Sequence, residues 1–142
     1  MSIDPRTPVI VGVGQKTIHW DAASGDAAPS PQSLRADAAR LALADSGAGE
    51  ALGGIIDRVV AVRTMLDSVP GAPQPFGRCA NPPGTVAVDL GLTPRDCIHS
   101  HVGGDQPQAL VNESAAAIHA GDVRAVLLTG SEATAAMKAA LK

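Results

Sequence analysis

Cys97, His99 and His101 occupy alternate positions, so on an extended strand they share one face. Together with Asp105 they offer thiolate, imidazole and carboxylate, the donor types of a zinc site. No second Cys/His cluster supports a metal, and the expectation is a strand face buried against a helix or a subunit, with no metal bound. Cys97 is equally poor as a nucleophile, because a thiol buried mid-strand is inert. With Cys79 it makes a pair of cysteines and no disulfide framework, which fits a reducing, cytoplasmic setting.

Two glycine motifs follow strand-like runs. Gly12-Val-Gly14 has the start of a dinucleotide fingerprint, but its third glycine would fall at Thr17, and no helix opens there. These glycines read as turn residues, and an independent nucleotide-binding fold is disfavoured. Val102-Gly103-Gly104-Asp105 is more informative. Two glycines allow a sharp turn and a close approach to a ligand, and a helix from Gln106 presents free amides and a positive dipole end. That is how a fold places a nucleophile or an oxyanion site. The same residues equally make a plain turn before a buried helix. Asp105 stands where the helix begins, so its carboxylate is expected to cap it. The rival reading makes Asp105 an active-site acid with His101 as its base partner.

The elements that must position these residues can be read from the apolar pattern. A length of 142 residues suits one domain, on a scale of ~100–200 residues each. Strands are predicted over Pro8 to Val13, Ile55 to Thr64, Asp96 to Ser100 and Arg124 to Thr129. Helices are predicted from Ser30-Pro31 to Ser46, from Thr85 to Leu90 and from Gln106 to Ala120, with helical propensity again from Ser131 to Lys142. In the first helix Leu34, Ala38, Leu41 and Ala42 form the inward face, leaving Arg35, Asp37 and Arg40 outside. Residues 65–84 read as a long, proline-rich irregular loop. Strand–helix alternation implies an α/β fold, a mostly parallel sheet with helices on both faces.

Spread along this frame are blocks that resemble the thiolase superfamily, and within it proteins related to sterol-carrier-protein thiolases. They are Thr7-Pro-Val-Ile-Val-Gly-Val-Gly-Gln15, Ala38-Ala-Arg-Leu-Ala-Leu-Ala-Asp-Ser-Gly47, Ile56-Asp-Arg-Val-Val60 and Ala87-Val-Asp-Leu-Gly91. Ala117-Ile-His-Ala-Gly-Asp122 and Ala125-Val-Leu-Leu-Thr-Gly-Ser-Glu132 complete the series. The resemblance implies that residues 1–142 are the amino-terminal half of an acetyl-CoA acetyltransferase-like protein, ending before a carboxyl-terminal half. It implies coenzyme A thioesters as substrates, lipid metabolism as the setting, and no other cofactor. It also implies a nucleophilic cysteine just before the buried helix, at the position Gly104 holds here. The base histidines and second cysteine of such enzymes belong to the other half. The chain alone is therefore expected to lack thiolysis and Claisen condensation, as a fragment or degenerate member. His101 and Asp105 are the two remaining candidates for catalytic residues. The alternative is a non-catalytic acyl-CoA-binding or interaction module that assembles with a partner chain.

Composition sets the outer limits. Apolar residues make up 45% and charged residues 18%, which excludes wholesale disorder. A net charge of −3 gives no footprint for nucleic acid, and no apolar run reaches the ~18 residues of a membrane span. The start carries no secretory pattern. Trp20 and Phe76 are the sole aromatic residues. A core of Val, Leu, Ile and Ala then invites a partner layer, so Ala109, Leu110, Ala116, Ala117 and Ile118 are expected to drive homo-oligomerisation or to await the missing half.

Overall fold

The computed structural model describes residues 3–65, 67, 69, 71 and 73–140. In chain order the elements are α1 (Pro31–Asp45), α2 (Gly49–Gly53), β1 (Ile56–Ala61), α3 (Pro82–Asp89), β2 (Asp96–His99), α4 (Gln106–Ala120), β3 (Ala125–Thr129) and α5 (Thr134–Ala140). The three strands form one parallel sheet in the order β2-β1-β3, with Val59 opposite Cys97 on one side and Leu127 on the other.

Strand periodicity sorts the side chains to two faces. Val59 and Leu127 join Ala39 of α1 and Val86 and Ala87 of α3 in the main core cluster. Leu128, one residue on, points the opposite way and meets Leu110 and Val111 of α4 across a cleft. Helices therefore lie on both faces, as expected. A second cluster joins Leu34 to Ala133, Ala136 and Met137, with Trp20 and Phe76 at its margin, so both aromatic residues serve the same small core.

Local chemistry explains the helix ends. Ser30 and Ser33 form a reciprocal capping box, the Ser33 N–H donating to Ser30 Oγ at 3.0 Å and the Ser30 N–H to Ser33 Oγ at 3.2 Å. α3 begins at Pro82, three residues before the predicted start. Asn81 accepts from the Gly84 N–H at 3.0 Å, and prolines are harmless in a first turn, where the amide has no intrahelical partner.

Two expectations need correction. The run Pro8 to Val13 is not a strand of the sheet. β1 and β3 pair directly, and the run lies extended against α1, its Val13 N–H donating to Asp45 Oδ2 at 2.9 Å. Val9, Ile10, Val11 and Val13 remain exposed. Gly12 and Gly14 are not turn glycines either: a Cβ on Gly12 would run into the Ala42 carbonyl, and one on Gly14 into the Ala38 carbonyl. They permit backbone to lie on helix.

That contact also rotates the reading of α1. Its buried residues are Leu34, Arg35, Ala36 and Ala39, spread around more than one side, while Leu41 is 44% exposed. The Ala38/Leu41/Ala42 face is the one met by the Gly12–Gly14 backbone. A helix covered on two sides has no single apolar stripe, so Arg35, expected outside, is inside.

Candidate functional site

All three strands run parallel, so their carboxyl ends open on one side, where ligand crevices form in open α/β sheets. A cleft of about 720 Å³ lies there. Val62, Val102, Pro107, Leu110, Val111 and Leu128 give it apolar walls, and Arg63, Gly103, Gly104, Thr129, Ser131 and Glu132 bring the polar groups.

The glycine turn enters this cleft as the sequence suggested. The Gln106 N–H closes back on the Gly103 carbonyl at 3.2 Å and the Ala109 N–H on the Asp105 carbonyl at 3.0 Å, which starts α4. Among the described residues, the amides of Gly103, Gly104 and Asp105 have no acceptor. They stand beside the positive end of a fifteen-residue helix, an arrangement suited to a carbonyl oxygen or an anion. Space around Gly104 is open: a Cβ there would have no neighbour within 4 Å, and its backbone is not left-handed. Nothing in the fold demands glycine at that position.

No thiol reaches the cleft. Cys79 lines another cavity, and Cys97 is exposed on the edge strand β2. The two hydroxyls in the wall are engaged with α1: Thr129 Oγ1 donates to the Arg35 carbonyl at 2.9 Å and Ser131 Oγ to the Pro31 carbonyl at 2.6 Å. Glu132 accepts the Met65 N–H at 2.9 Å and ties the far rim together.

The remaining sequence candidates scatter. Asp105 does not cap α4; it makes no side-chain cap bond and its backbone is helical rather than extended, so the carboxylate cannot reach the next turn. Its Oδ1 instead lies over Gly103, 2.5 Å from where a Cβ would sit. His101 is exposed beyond the end of β2, and no hydrogen bond joins it to Asp105. Neither lines the cleft. Cys97, His99 and His101 do not share a buried face, because β2 ends at His99 and leaves His101 in the following loop. Among the described residues no three His, Cys, Asp or Glu side chains could hold a metal ion, and no helix is long and apolar enough to cross a membrane.

His99 turns the other way, toward Asp67, with Nε2 3.9 Å from Asp67 Oδ2. Burial, reinforced by Arg63, pushes the imidazole below its ordinary value despite Asp67. Arg35, which sequence reasoning placed in solvent, is buried at this end, as are Thr64, Ser100 and Thr129. No pattern in the sequence marks it; its burial follows from α1 being covered twice.

This arrangement of sheet, helices and glycine turn is a thiolase-like fold. A crystal structure of a monomeric SCP2-thiolase-like protein type 1 from Mycobacterium smegmatis matches it with a TM-score of 0.73 and 36% identity over 92% of this chain. The chain spans 24% of the length of that protein. Comparison with protein-family models and with curated proteins gives no match.

Proposed function

We propose that the cleft binds acyl thioesters of coenzyme A without forming a covalent intermediate, as an acetyl-CoA acetyltransferase-like chain that lacks the nucleophilic cysteine at this turn. The observation that carries this reading is the Gly103–Gly104 turn, whose amides beside the start of α4 have no acceptor among the described residues, with no thiol among the residues that line the cleft. The amides suit a thioester carbonyl, and the apolar walls suit an acyl chain. Covalent acyl transfer needs an activated thiolate at this point, and Gly104 has no side chain to supply one. The likeness to an SCP2-thiolase-like protein supports the same assignment.

The test is acetyl-CoA binding by calorimetry, paired with intact-mass analysis. The chain is expected to bind reversibly and gain no acetyl mass, whereas Gly104→Cys gains one acetyl group that hydroxylamine removes. Failure to bind, or acetylation of the unaltered chain, rejects the reading.

A second reading, assembly with a partner chain, rests on α4. Leu110 and Ser114 are its buried residues, while Val111 is 40% exposed and Ala116 is also exposed. Exposed apolar side chains of this kind favour self-association or a covering layer. Sedimentation showing one monomeric species across a wide concentration range would remove self-association.

A further inference from the structure

A cavity of about 190 Å³, separate from the cleft, lies between the start of α1, residues 74–79 and α5. Arg35, Arg78, Asp67, Cys79, Phe76 and Met137 are among its walls. Arg35 is 2% exposed. Its guanidinium has five N–H donors. Nη1 donates to Gln32 Oε1 at 3.1 Å and Nη2 to the Val62 carbonyl at 3.3 Å, while buried Nε has no acceptor among the described residues. No carboxylate of those residues comes within ion-pair distance of it; Asp67 turns its carboxylate to His99 instead.

A buried cation held by two neutral acceptors is incompletely compensated. Burial lowers the Arg35 pKa more than Asp67, Cys79 and Glu132 raise it. Two arginines against one aspartate leave the cavity wall with an excess positive charge. Its volume equals that of about six waters at ~30 Å³ each, and Phe76 and Met137 line part of it with apolar surface.

We propose that this cavity is a binding site for a small organic oxyanion, a carboxylate or phosphate on a short carbon skeleton, held by Arg35 with Arg78 at the mouth. The site is independent of thioester binding in the cleft. Its own wall supplies the reporter: Cys79 borders the cavity, and exposed Cys97 on β2 serves as an internal reference.

The test measures iodoacetamide alkylation of both cysteines by peptide mass spectrometry on the intact chain, with propionate or inorganic phosphate against chloride at matched ionic strength. One or both anions are expected to slow Cys79 several-fold with Cys97 unchanged, and the more protective anion identifies the headgroup. Arg78→Ala should weaken the protection and Arg35→Gln abolish it, with circular dichroism verifying the fold. If Arg35→Gln does not fold, the unaltered chain and Arg78→Ala decide. Equal slowing at both cysteines, no slowing at Cys79, or full protection in Arg78→Ala overturns the proposal.

Discussion

The two ends of the sheet are built on opposite principles. At the amino-terminal end every prominent charge is answered. Arg124 donates to Asp57 through its guanidinium, at 2.6 and 3.1 Å, and through its backbone N–H at 2.8 Å. Asp96 takes both Arg58 and Arg95 at 3.1 Å. At the carboxyl-terminal end, among the described residues, Arg35 Nε and His99 Nε2 are buried without a hydrogen-bond partner and the turn amides of Gly103 and Gly104 have no acceptor. Saturated polar groups fix strand ends in register. Unsaturated ones cost stability and persist where a ligand completes them.

The largest expected effect comes from breaking the saturated end. Asp57→Ala removes the acceptor of the Arg124 backbone N–H and of its guanidinium, which water re-solvates, so the melting temperature should fall measurably while thioester affinity at the opposite end stays unchanged. A fall in affinity at temperatures well below melting would show that the two ends are coupled.

Strong acid should weaken the same end. The Arg124 hydrogen bonds hold the Asp57 carboxyl down at about 2, and those of Arg95 and Arg58 lower Asp96 in the same direction. A carboxylate with a depressed folded pKa contributes stability fully above its unfolded value, ~3.9 for Asp, and loses it as pH falls through the folded value. Stability should therefore drop between about pH 4 and pH 2, less steeply in Asp57→Asn. Denaturant titrations at stepped pH measure both slopes.

His99 gives a smaller effect in a different window. Its folded pKa is lowered, so the unfolded chain binds its proton first, and stability declines as pH drops below ~6.5 toward the folded value. His99→Gln should flatten that decline and leave the acid limb near pH 3 untouched, a distinction visible in the same titrations.

Smallest of all is Gly104→Ala. Open space around this position predicts a change within about 0.5 kcal/mol, the range of ordinary surface substitutions. Gly12→Ala, by contrast, forces the N-terminal segment off α1, and thermal melts of the two variants side by side should separate them.

Much of the fold could be read from local pattern. The alternation of Ile56–Ala61, Asp96–His99 and Ala125–Thr129 with helices at Pro31 and Gln106 follows from β-branched runs, a Ser-Pro start and a Gly121 stop, all local signals. The glycine turn at the mouth of the cleft was legible for the same reason. What failed was tertiary. An apolar, extended run at Pro8 to Val13 satisfies strand propensity, yet packing on α1 decides where it lies. Arg35 shows the same limit: helical periodicity assigns one inward face, and a helix covered on two sides violates that assumption. Asp105 has the right residue type for a cap but the wrong backbone angles, which composition does not reveal.

Ligand recognition is expected at the carboxyl-terminal end and not at the amino-terminal end. Amide chemical-shift mapping of the full chain during titration with butyryl-CoA tests it most directly. Shifts are expected at Gly103, Gly104, Leu110, Val111 and Glu132, with Asp57, Asp96 and Arg124 silent. Shifts centred on the Asp57–Arg124 end, or none at saturating thioester, would contradict it.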